Sequence, residues 1–281
     1  GIRMKLFPEN PILVYRPFYL NPRNYIYLAD RGRFYGDVRL YDDQGTGIHF
    51  YTNREDTIAD QEMTVELSRI DLKQFKKVLP YLPDVEGWLG GSAHYVDSEG
   101  QMMLSADVSL DNFVYEKSPL GNWTMNGVYL PGDNNAHHVD GFITHNDREI
   151  IYMNGIYQTD ETGQENITGE LELQHFPLWV INPFVPDGIV NFRGDIDGTL
   201  AMEGNPLKPV LNGGLQLDSV LMVMPDMSIG FRFDNKQVKM QDSKMVFDKF
   251  NIYTRGETPF VVNGSVDFSD LEKMMVDLRM K

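Results

Sequence analysis

The chain has 281 residues, 41 acidic against 25 basic side chains, a formal charge of −16 and no cysteine. That sign argues against binding nucleic-acid phosphates and against electrostatic docking on anionic lipid surfaces. The absence of cysteine removes disulfides, thiol catalysis and thiolate metal sites, while an apolar content of 42% with 14 Tyr, 16 Phe and 15 Met excludes disorder and allows a large buried surface.

The chain opens with Gly1-Ile2, without a basic segment leading into an apolar one, and no apolar run of ~18 residues follows. Neither a signal peptide nor a membrane-spanning helix is predicted within it. It reads as a piece of a longer protein, with any leader or anchor outside it. Residues 1–23 form a lead-in. Beyond them strand signals dominate: "NYIYLA", "MMLSADVSL", "REIIYMNGIYQ", "GELELQHF", "DSVLMVM", "KQVKM" and "FVVNGSVDF" are short, often alternating, and rich in β-branched or aromatic residues. Turn clusters such as "DDQGTG", "DSEG", "HNDR", "DETG" and "EGNP" separate them. Spacing of this kind predicts an all-β fold of roughly 16–20 strands.

Two stretches break the rhythm. In 68–82, Phe75, Val78, Leu79 and Leu82 share one helical face, with Ser68 as a possible N-cap. In 176–184, Pro177 suits the first turn of a short helix. These stretches occupy matching places in a repeat. "ELSRIDL" (66–72) matches "ELQHFPL" (172–178), 106 residues on. Gly87 and Gly91 match Gly194 and Gly198 at 107, and that offset continues to 107–115 against 214–222. A period of this length predicts stacked units more than independent globules. The expected division is 24–130 for a first β repeat unit, 131–225 for a second, and 226–281 for C-terminal strands continuing the same sheet.

Asn-Gly occurs four times, at 126–127, 154–155, 212–213 and 263–264. Between apolar runs it is normally a hairpin turn. A two-residue turn at Asn263-Gly264 would leave arms of three or four residues, and "DETG" crowds Asn154-Gly155 in the same way. The glycines are therefore read as lying inside strands, where they mark bulges, bends or close backbone approach in a curving sheet.

Chemistry is sparsely signalled. His137, His138, Asp140 and His145 are the one histidine cluster, and His138 with Asp140 on a shared strand face would begin a zinc site. The competing reading is a polar loop entering a strand, and no metal is assigned. "DIDG" (195–198) and "GDNN" (132–135) resemble fragments of calcium loops but lack the terminal bidentate Glu, so they read as solvated turns. No nucleophile elbow, phosphate loop or dinucleotide fingerprint occurs. No catalytic residue and no cofactor are assigned. What remains is apolar surface: Met102, Leu104, Ala106, Val108 and Leu110 alternate onto one face, and Leu215 and Leu217 match Val108 and Leu110 in the repeat. On residues alone this face reads first as ordinary core and second as an open lipid-binding surface.

The stretch 194–225 followed by 247–270 resembles the TamB family, the translocation and assembly modules of the AsmA-like envelope proteins. The resemblance rests on a Gly-x-Leu strand at Gly198–Leu200, a Gly-x-Pro turn at Gly204–Pro206 with Pro209, and a second glycine-led strand from Gly213-Gly214 to Leu217. It extends over about 166–281 and reaches 24–130 through the internal repeat. The helix-like 68–82 departs from a pure strand pattern. The resemblance implies an elongated curved β-sheet forming a trough, a "taco"-like half-barrel with an apolar inside, on the periplasmic side of a bacterial envelope. It further implies an inner-membrane anchor and a barrel partner of the Omp85 type in the outer membrane. Phospholipid acyl chains, and client outer-membrane proteins, are the implied cargo. Candidate groove residues are Met102, Leu104, Val108, Leu110, Leu200, Met202, Leu215, Leu217, Val266 and Phe268. The alternative is a closed β-sandwich or β-helix module binding glycan or protein, in which the same residues form a sealed core.

Overall fold

The computed structural model describes residues 1–7, 11–13, 16–52, 60–132, 135–186, 188–254, 256, 258–270 and 273–281. The fold is all-β and antiparallel, with two short helical plugs. It separates into two compact units, Gly1–Pro131 with Ile143–Arg148, and Gly132–Phe142 with Glu149–Lys281.

The first unit contains β1 (Ile2–Met4), β2 (Ile12–Leu13), β3 (Arg16–Pro17), β4 (Tyr19–Leu20), β5 (Tyr25–Leu28), β6 (Phe34–Tyr41), β7 (Gly47–Tyr51), β8 (Gln61–Asp71), β9 (Val85–Ser98), β10 (Gln101–Tyr115) and β11 (Ser118–Pro131). Strands β1-β5-β6-β7-β8-β9-β10-β11 pair in that order, β4 also lies against β6, and β2 and β3 form a separate ribbon. Strand β12 (Ala136–His145) is divided, its residues up to Phe142 counting with the second unit and those from Ile143 with the first. The second unit continues with β13 (Arg148–Thr159), β14 (Glu165–Pro177), β15 (Asn191–Gly204), β16 (Val210–Met224), β17 (Ile229–Phe233), β18 (Gln237–Gln241), β19 (Lys244–Tyr253), β20 (Phe260–Asp267) and β21 (Met275–Met280). Here β13 to β16 pair in sequence, the short β17 and β18 together fill one place between β16 and β19, and β20 and β21 follow.

All four Asn-Gly pairs lie inside strands, in β11, β13, β16 and β20. The helix expected over 68–82 is much shorter. Residues up to Asp71 stay in β8 because they pair with β9, Ile70 opposite Leu89. A 3₁₀ turn at Leu72–Gln74 then runs into α1 (Phe75–Val78), and Asp71 caps it, its carboxylate accepting the Lys73 N–H at 3.1 Å. Ser68, the expected cap, is a strand residue. The second plug is a 3₁₀ helix, Leu178–Phe184, burying Leu178 and Val180; Pro177, expected in its first turn, is instead the last residue of β14 because it stays in the ladder opposite Asp195.

The internal repeat is visible in the backbone. Strand, plug, strand and strand recur as β8–β10 and β14–β16. Arg69 and His175, both with φ near +48°, sit at matching places, as do Asn112 and Ser219 at φ 51° and 53°. Each marks a β-bulge where the ladder register shifts. "DIDG" is no turn: it lies within β15, and Asp197 accepts the bulged His175 N–H at 2.8 Å.

Candidate apolar binding face

Register places one side chain per strand into rows that cross each sheet. In the first unit Leu40, Ile48, Leu67, Gly91, Val108 and Met125 are successive partners from β6 to β11. The next row is Val38, Phe50, Val65, Ala93, Ala106 and Gly127. In the second unit Met153, Leu171, Leu200, Gly213, Met240, Met245, Val266 and Val276 form a row across eight strands. Because strand side chains alternate, a whole face in each unit becomes apolar.

The opposite face of the first unit is polar and rich in tyrosine. Tyr27 stacks on Tyr35, Arg39 lies over Tyr41 at 5.3 Å, and His49 meets Asp37 at 3.0 Å. Tyr51 donates to Glu66 at 2.8 Å, and this bond to a carboxylate holds the phenol above its ordinary pKa. Tyr152 in the second unit donates to Asp140 at 2.7 Å with the same effect. Val128 and Leu130 are apolar exceptions near the end of β11.

Leu104 is 41% and Met125 50% exposed, so the apolar face of the first unit is incompletely covered. The second unit seals part of its face: Val238, Phe250 and Val262 are each 2% exposed, packed by Leu217, Phe233, Met245, Phe247 and Ile252. The chain exposes 18237 Å². Two compact bodies, each of half its 32.3 kDa, would together expose only about 15,000 Å². The exposed surface exceeds that of two such bodies by roughly a fifth.

Of the ten groove candidates, Met102, Leu104, Val108 and Leu110 share the first unit's apolar face; Leu200, Met202, Leu215, Leu217 and Val266 share the second's. Leu217 packs against the sealed cluster. Phe268 lies one residue beyond β20, its N–H donating to Ser243 O at 2.9 Å. The histidine cluster is dispersed: His145 Nε2 bonds Leu120 O at 2.9 Å, whereas His137 packs on Tyr157. Among the described residues no three His, Cys, Asp or Glu converge on a metal position. "GDNN" lies partly outside the described residues.

Sequence reading missed a cleft of about 450 Å³ on the first unit's apolar face. Leu40, Ile48, Leu67, Ile70 and Leu89 form its floor, with Phe18 and Phe75 as walls and Arg16, Asp42 and Gln74 among its polar groups. Its residues come from β3, β6, β7, β8, β9 and the first plug, so no local motif announces it.

These features define a class: a duplicated, open antiparallel β-sheet protein with one apolar and one polar face per unit. Comparison of the chain with protein-family models, curated proteins and solved structures found no match in any of the three. No helix among the described residues is long and apolar enough to cross a membrane.

Proposed function

We propose that this chain is a periplasmic, TamB-like segment whose apolar faces carry phospholipid acyl chains between the membranes of a bacterial envelope, and that it acts without catalysis. The full-length protein would be anchored in the inner membrane and would meet an Omp85-type barrel in the outer membrane, with assistance to outer-membrane protein assembly as a companion role. The observation carrying this reading is the apolar face that these rows form across every strand from β6 to β11, which stays partly exposed at Val65, Leu104 and Met125. An acyl chain laid on such a face gains about 0.8 kcal/mol per buried CH₂ and needs no specific pocket.

Native mass spectrometry of the purified chain, followed by lipid extraction, tests the reading. One or more phospholipids per chain are expected, lost in a folded Leu104→Asp, Leu200→Asp double variant. A chain that neither retains phospholipid nor takes it up when offered would overturn conduction. That outcome would favour the sealed binding module, a reading supported by the closed Val238–Phe250–Val262 cluster. A glycan platform has less support, since the register puts Trp88 and Trp123 on opposite faces of their sheet.

A further inference from the structure

Strand β21 borders the second unit's sheet. Among the described residues β20 is the one strand that pairs with it, and every residue of Met275–Met280 is exposed. Val261 and Lys281 exchange both main-chain N–H···O bonds, at 3.0 and 3.1 Å. Hydrogen-bonded pairs alternate along an antiparallel ladder, so Arg279, Asp277 and Met275 also turn their main-chain groups toward β20. Met280, Leu278 and Val276 turn theirs outward. The strand has no proline, and its ladder with β20 runs without a register shift. A flat edge of this kind is a template for another strand unless proline, a bulge or charge blocks it.

The side chains decide which strand fits. Val276, Leu278 and Met280 continue the apolar face, opposite Val266, Gly264 and Val262, and Val276 and Met280 are 65% and 69% exposed. Asp277 and Arg279 point to the other face, and neither has a salt-bridge partner among the described residues. Against a second β21, antiparallel and centred on Leu278, Val276 faces Met280 and Asp277 faces Arg279, each pairing occurring on both sides of the centre. Asp277 and Arg279 then form non-hydrogen-bonded pairs, the kind that brings side chains closest. Moving the centre by one residue sets Asp277 against Asp277 or Arg279 against Arg279, so charge selects one register. We propose that β21 is a self-association edge, joining β21 of a second copy of this chain about a two-fold axis at Leu278. The outward N–H and C=O groups of Val276, Leu278 and Met280 complete the ladder, and the apolar faces of the two copies run on into each other across the seam. A contact of one short strand against another belongs to the small, weak class of interfaces, formed as the chain is concentrated.

Sedimentation velocity of the chain from about 1 μM to about 500 μM tests this, with a reversible monomer–dimer equilibrium expected within that range. Asp277→Arg and Arg279→Asp each put like charges across the seam and should each weaken self-association by about tenfold or more. Mixed in equal amounts, the two variants restore opposite charges at both positions, and the mixture should associate as well as the parent. Leu278→Pro removes an outward N–H and leaves the bonds to β20 in place, so it should give a monomer with the parent's circular dichroism. A chain that stays monomeric throughout the range overturns the edge. So does a dimer that survives in folded Leu278→Pro, or a parent dimer whose two charge variants fail to associate when mixed, since either result puts the seam elsewhere.

Discussion

Asn263 and Gly264 serve the strands on either side of β20, one through its side chain and the other through lacking one. The Asn263 amide oxygen accepts the N–H of Lys249, a bulged residue at φ 48° whose own strand cannot satisfy it. Gly264, at φ 131°, lets the next strand close in, because a Cβ there would meet Asp277 O at 2.0 Å. Asn212 does the same for Asp242 N–H at 2.9 Å. Gly155 differs: its φ is ordinary and an added Cβ would touch Thr168 O at 3.5 Å. Gly264→Ala is therefore expected to destabilise the chain by about 2 kcal/mol or more, and Gly155→Ala by less than about 1 kcal/mol, in urea unfolding. Equal costs would refute the close-approach account. At the end of the same strand Asp267 is held by the Ser269 hydroxyl, by the Ser269 N–H at 2.9 Å and by Lys244 at 3.5 Å, which lower its pKa. A lowered folded pKa means the native state binds the proton more weakly than the unfolded chain. Asp267 thus contributes stability above the ordinary aspartate pKa of about 3.9, and that contribution is lost as pH falls through the lower folded value. Stability curves of the parent and Asp267→Asn should converge on acidification below pH ~4.

At the scale of elements, the plugs and bulges give each sheet its irregularity. A plug occupies the place after β8 and after β14, and in both cases the preceding strand keeps its ladder almost to the cap. This explains the shortened helix: the apolar spacing of Phe75, Val78, Leu79 and Leu82 is helical, but Ile70 and Asp71 gain more from pairing with Leu89 and Trp88 than from one more helical turn. Asp71→Ala should cost about 1 kcal/mol through loss of the Lys73 N–H cap, with protection of the 72–78 amides against hydrogen exchange falling before that of β9. Uniform loss across both would show that the plug and strand open together. The bulges were only half legible. Strand-interior glycines signalled irregularity, but Arg69, Asn112, His175, Ser219 and Lys249 carry positive φ without any local sign of it. "DIDG" misled in the same way, since an Asp that serves a neighbouring strand looks locally like an Asp that makes a turn.

For the molecule as a whole, burial is unequal. Phe250 is 2% exposed within the sealed cluster, whereas Val65, on the apolar face of the first unit, is 37% exposed. Phe250→Ala should cost about 3–5 kcal/mol and Val65→Ala about 1 kcal/mol or less, read by chemical denaturation. Comparable losses would mean that the first unit's face is covered in solution. All-β character, the duplication, the in-strand Asn-Gly pairs and the alternation of Met102 to Leu110 were legible in sequence, because strand periodicity and turn chemistry act over a few residues. Whether that alternation ends in a closed core or an open face was decided only by register and layering. The same pattern is sealed around Phe250 and left half-open at Leu104, since covering a face depends on strands far apart in the chain. The cleft lined by Phe18 and Phe75 is likewise tertiary: its walls come from segments separated by more than fifty residues, and only the folded register brings them together.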